Sequence, residues 1–93
     1  MEKRTNAGYD IIKSISLPEE EFVLGIKTID NKNTYVTWCC VDKKNYHYGH
    51  YIDDYKKALT DLYERAKVSI QWILDRLEDN KWKIYLQNSI TDK

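Results

Sequence analysis

Thr34-Tyr35-Val36-Thr37-Trp38-Cys39-Cys40-Val41 decides the fold. The run is rich in β-branched and aromatic side chains, which suit a pleated, partly buried surface, and it contains no breaker. Asp30-Asn31-Lys32-Asn33 precedes it and Asp42-Lys43-Lys44-Asn45 follows it. Both are turn chemistry, because Asn and Asp bond their own backbone and tolerate left-handed dihedrals. A strand between two short turns pairs with its neighbours on both sides. The upstream neighbour is Glu20 to Ile29, with Phe22, Leu24 and Ile26 on one side and Val23 on the other. The downstream neighbour is Tyr46 to Tyr51. Tyr9 to Ser16 alternates partially before Leu17-Pro18 and joins as a further strand. The prediction is an antiparallel β-meander of three to four strands over residues 9–51.

A helix follows at once. Asp53 is expected as its N-cap, and Asp54 adds negative charge where the helix dipole favours it. Apolar residues then recur at three-four spacing from Tyr55 through Leu59, Leu62, Ala66, Ile70 and Ile73 to Leu77. A helix over 53–78 is about 39 Å long at 1.5 Å per residue, whereas eight-residue strands reach only about 27 Å. Its last turns therefore overhang the sheet. In the segment 80–93, Trp82, Ile84 and Leu86 alternate with Lys83, Tyr85 and Gln87, which favours a short strand; helix is the alternative. The fold class is thus α+β, one long helix packed on one face of a small antiparallel sheet.

If both turns close four-residue loops, Ile29 pairs with Thr34 and Val41 with Tyr46. Gly25, Trp38 and Gly49 then form one row, with the indole lying over bare backbone. That arrangement accounts for glycine inside two strands, where it weakens pairing. Val23, Cys40 and His47, with Lys27, Val36 and Tyr51, flank that row. The opposite face is expected to carry Phe22, Leu24, Ile26, Thr37, Cys39, Val41, Tyr46, Tyr48 and His50. Both faces are substantially apolar, and one helix covers only one of them. Either a terminal segment or another molecule must cover the second.

Ninety-three residues make one domain. Fifteen basic and fifteen acidic side chains cancel, which argues against nucleic acid held mainly through its phosphates. Stacking of single-stranded nucleic acid on Tyr46, Tyr48 and His50, beside Lys43 and Lys44, is the alternative that charge leaves open. No leader or membrane span is visible, and two adjacent cysteines, Cys39 and Cys40, make an awkward disulfide pair. Reduced cysteines on an apolar strand predict a cytoplasmic protein. His47 and His50 face opposite ways on a regular strand, and Cys40 beside His47 lacks further zinc ligands. The same pair, read as a nucleophile and base, lacks an oxyanion hole or an orienting residue. Asp53 and Asp54 are explained by capping. No catalytic residue, metal or cofactor is therefore expected.

Tyr9-Asp10-Ile11-Ile12, Phe22-Val23-Leu24-Gly25, Tyr35-Val36-Thr37-Trp38, Tyr48-Gly49-His50-Tyr51, Ala58 and Asp61-Leu62-Tyr63-Glu64-Arg65 together resemble a family of small proteins encoded by phages and conjugative elements of low-GC Gram-positive bacteria. The resemblance spans about Tyr9 to Lys67. Its most specific part is a Trp-Gly-His-Tyr signature, in which Tyr48 replaces the Trp. The family carries no established activity. The resemblance implies a genomic setting in which small proteins often bind a host protein, including inhibitors of CRISPR nucleases and other defence systems. The expectation is a non-enzymatic protein-binding module that acts stoichiometrically on a host protein. Its expected contacts are the aromatic residues Tyr46, Tyr48 and His50 and the overhanging Trp72 and Ile73. A homodimer is compatible with this and would bury the same helix end.

Overall fold

In the computed structural model the described residues are 3–91, with side chains described through residue 77. The elements are β1 (Thr5–Asn6), β2 (Tyr9–Ser16), β3 (Glu21–Ile29), β4 (Lys32–Val41), β5 (Asn45–Ile52) and α1 (Tyr55–Thr91). All five strands form one antiparallel sheet in chain order. The α+β class and the single long helix are as expected. The meander has five strands rather than three to four, because a two-residue strand precedes Tyr9. Ala7 and Gly8, with φ of 52° and 83°, make the tight turn that folds β1 onto β2.

The turns are shorter than the composition implies. Asp30 and Asn31 alone close the β3–β4 hairpin, with φ of 51° and 63°, so Ile29 pairs with Lys32. Two consecutive left-handed residues match the natural twist of paired strands, and Lys32 and Asn33 are released to extend β4. Gly25 accordingly pairs with Val36, not Trp38. A shift of two residues preserves which side chains share a face.

The β4–β5 turn has a different consequence. Val41 pairs with Asn45, and Cys40 with Tyr46, one residue away from the expected register. A one-residue slip moves side chains to the other face, so Tyr46 lies with Trp38 and not with His50. A bulge at Tyr48, φ 56°, then restores the anticipated pairing of Thr37 with His50 and Val36 with Tyr51. His47 and His50, on either side of the bulge, therefore share one face rather than opposing each other. His47 pairs with Cys39, not Cys40.

The helix begins one residue later than anticipated, because the Asp54 carboxylate, not that of Asp53, accepts the Lys57 N–H at 2.9 Å. It then runs for 37 residues without a break, so the short strand expected at Trp82–Leu86 does not form. From Asp53 onward the chain has neither Gly nor Pro to stop a helix. A helix satisfies its own backbone hydrogen bonds, whereas a strand there would need a free sheet edge beside it. Residues 92 and 93, part of the anticipated C-terminal segment, lie outside the described residues.

Two cores sandwich the sheet. On the helix side Phe22, Leu24 and Tyr35 pack with Ala58, Leu62 and Ala66. On the other side lie Val23, Val36, Trp38 and Cys40, none more than 4% exposed. The molecule extends over 72 × 26 × 20 Å, with a radius of gyration of 18.5 Å. A compact chain of this length has a radius near 12 Å. The difference is the helix, about 55 Å long, running past the end of the sheet.

Candidate functional site

The second sheet face needs no other molecule. Tyr9 stands edge-on to Trp38 at 5.7 Å, and Tyr46 does so from the other side at 5.5 Å. Gly49 makes room for the indole: a β-carbon there would lie 2.8 Å from Trp38 Nε1. One built on Gly25 would lie 3.4 Å from Cζ3 of the same ring. Trp38 is thus seated against both glycines as predicted, although it pairs in register with neither: Gly25 pairs with Val36, and the bulge falls opposite Trp38.

Arg4, just before β1, closes this layer. Its guanidinium donates to both Glu21 oxygens, at 2.5 and 3.1 Å, and to Cys40 Sγ at 3.3 Å, while Nε donates to the Tyr46 hydroxyl at 2.9 Å. Hydrogen bonding to Arg4 holds the Glu21 carboxyl below the usual range, although burial opposes it. Of the two coverings the sequence leaves open, a terminal segment or another molecule, the N-terminal segment supplies most of the cover. This removes the main reason for expecting a partner on this face; Tyr51 at its edge stays 68% exposed.

The expected contact residues separate. Tyr46 is half-buried and tied to Trp38 and Arg4. His50 projects from the helix-facing side, its Nδ1 2.9 Å from Asp61 Oδ2. Asp61 also accepts the Thr37 hydroxyl, and Arg65 donates to the Thr37 carbonyl at 3.0 Å. This network fastens the edge strand to the helix, which gives His50 a structural role. Tyr48 is different. The residue is 80% exposed, and its backbone is left-handed, a conformation costly for any residue with a β-carbon. Tyr46, Tyr48 and His50 do not make one stacking platform.

Trp72 and Ile73 do come together. With Leu17, Glu19, Glu20 and Arg76 they line a groove of about 220 Å³ where the helix passes the β2–β3 turn. Glu20 anchors that turn, accepting from the Ser69 hydroxyl at 2.5 Å and from the Cys39 thiol at 3.2 Å. Tyr48, midway along the edge strand β5, does not line this groove. Trp72 is 67% exposed.

The helix supplies further apolar surface at its overhanging end, where Ile70 and Leu77 were expected to meet another chain beside Trp72 and Ile73. Val68, Ile70, Leu74 and Leu77 are all exposed. The signal was present in the sequence: apolar spacing continues past Ala66, the last buried helix residue among those described. Helix length set against strand length already predicts that these positions run past the sheet and have nothing of it to pack on.

Neither cysteine is poised as a nucleophile. Burial and a hydrogen bond to Glu20 push Cys39 up to about 11, and burial also raises Cys40. Among the described residues no group of three or more His, Cys, Asp or Glu side chains is placed to hold a metal ion. Among them, too, no helix is long and apolar enough to cross a membrane. No family model, curated protein or solved structure matches the chain.

Proposed function

We propose that this chain is a small non-enzymatic binding module that docks stoichiometrically on another protein through the groove end of the molecule, with Trp72 as anchor and Ile73 beside it, and with exposed Tyr48 on β5 as a separate contact. The observation that carries this reading is the 67% exposure of Trp72, at the rim of a groove it shares with Ile73 and Leu17. A tryptophan buries a large area on binding at low entropic cost, and its truncation in an interface often costs 2 kcal/mol or more. The left-handed backbone of Tyr48 adds support. The bulge accounts for a left-handed residue there but not for an exposed tyrosine in that place, and such strain concentrates at functional positions.

The resemblance of the Tyr48-Gly49-His50-Tyr51 region to mobile-element proteins supplies the biological setting. In that setting the partner is a host protein in the bacterial cytoplasm, and the outcome is inhibition or regulation, including interference with a defence nuclease as anti-CRISPR proteins do. The nucleic-acid alternative is less well supported, because it relied on a shared Tyr46, Tyr48 and His50 face. The test is capture of a defined complex from host lysate, with its stoichiometry measured, repeated with Trp72→Ala and Tyr48→Ala. A saturable complex weakened about 30-fold by Trp72→Ala supports the proposal. Capture unchanged by both variants overturns it, and retention of single-stranded nucleic acid at low salt favours the alternative.

A further inference from the structure

We infer that a second copy of this chain covers the flank of α1 that carries Ile70, Leu74 and Leu77, the two helices running antiparallel about a twofold axis between Ile73 and Leu74. Ile70, Leu74 and Leu77 are 41%, 52% and 58% exposed. At about 100° per residue they fall within about 60° of one another and about 90° round the helix from the sheet-facing line of Ala58, Leu62 and Ala66. Trp72 lies about 160° from Ile70 and from Leu74, so the seam leaves the docking anchor free although it shares Ile73 with the groove, and the inference does not rest on that reading.

Three observations select a second copy as the occupant. The first is that the central apolar positions of this flank exchange with one another on reversal. Reversal about the point between residues 73 and 74 exchanges Ile70 with Leu77 and Ile73 with Leu74. Tyr63, Ile70 and Leu77 are also successive heptad positions, the repeat that keeps a seam facing a partner helix. Self-complementarity of this kind is what an isologous contact requires.

The second is length. The midpoint of Tyr55–Thr91 is residue 73, so the same reversal overlays the whole helix on its partner. A facing strip about 55 Å long and about 10 Å wide amounts to roughly 550 Å² on each copy, or about 1,100 Å² in total. That reaches the size, about 1,000 Å², expected of a specific interface. The third is charge. In this register, over residues 70–77, no two like charges fall opposite each other: Arg76 meets Gln71 and Asp75 meets Trp72. A projecting helix is marginal in water by itself, and antiparallel pairing removes its exposed Leu and Ile side chains from solvent.

Sedimentation of the full chain over a concentration series tests this directly. The expected result is a dimer whose dissociation constant rises about 100-fold or more with Leu74→Glu, which sets two carboxylates beside the axis, and is unchanged by Trp72→Ala. A second readout does not depend on the fold tolerating that charge. Leu74→Cys, mildly oxidised, forms a disulfide-linked dimer, whereas Tyr63→Cys and the wild-type chain do not, because antiparallel copies hold their residues 63 about 30 Å apart. A wild-type chain that is monomeric at every concentration, or cross-linking at position 63 as readily as at 74, overturns the inference.

Discussion

Replacing Arg4 with methionine keeps most of the side chain's apolar stem and removes its charge. In the native protein that charge meets Glu21, whose side chain is 8% exposed against 29% for Arg4. Breaking a fully buried ion pair on one side costs about 3–5 kcal/mol. The partial exposure of Arg4 lowers this to about 2–3 kcal/mol, and the lost hydrogen bond to the Tyr46 hydroxyl adds about 1 kcal/mol. A loss of about 3 kcal/mol is large beside a total of about 5–14 kcal/mol for a chain of this size, and it lowers Tm by about 12–20 °C. The pH dependence identifies the cause. The carboxyl of Glu21 is held below its ordinary value of 4.5, so its stabilising contribution is present above that pH and is lost as pH falls through the lower native value. The gap between wild type and Arg4→Met is therefore widest at neutral pH and narrows in acid. Urea unfolding at a series of pH values between 3 and 7 measures it. A cost below about 1 kcal/mol, or a gap that does not change with pH, refutes the claim that Arg4 seals the second sheet face through Glu21.

Gly49→Ala sets a methyl 2.8 Å from Trp38 Nε1 and 3.1 Å from Tyr51 Cε2, and the net cost is about 1–2 kcal/mol in chemical denaturation after the entropy gained by removing a glycine. Tyr48→Gly relieves the left-handed backbone and raises stability by about 0.5–1 kcal/mol while weakening partner capture; a loss of stability removes the strain argument. Disulfide-exchange reagents modify Cys39 slowly at pH 7, and the rate keeps climbing as pH approaches about 11, whereas a plateau near 9 contradicts the buried, Glu20-bonded thiol.

Much of this architecture was readable from local chemistry. The strand Thr34–Val41, the turns on either side of it and the three-four spacing after Asp54 each rest on short-range preferences, and the structure keeps them. The glycine positions also carried real information, because an indole needs bare backbone beneath it. Turn length was less legible. Asp30-Asn31-Lys32-Asn33 is polar throughout, and only the twist of the strands decides that two residues suffice. The bulge at Tyr48 was hidden, since a tyrosine is a poor candidate for a left-handed position. That one residue is why Tyr46 and His50 ended on different faces, and it moved the candidate surface. Arg4 reaches Glu21, Cys40 and Tyr46 across long stretches of chain, so no local pattern announced that the N-terminal segment would close the second core. The alternation of Trp82, Ile84 and Leu86 suggested a strand, but periodicity over so few residues does not outweigh an uninterrupted helix that lacks any breaker.

The account holds that the sheet is complete within one chain and that the outer part of α1 is covered by another. Amide hydrogen exchange at residues 67–91, measured across a dilution series with β3 and β4 as internal reference, tests this most directly. The predicted result is that the strands stay protected at every concentration while the helix amides lose protection as the chain is diluted, and regain it when a binding partner is added. Helix protection equal to that of β3 and β4 in the dilute, isolated chain would contradict it.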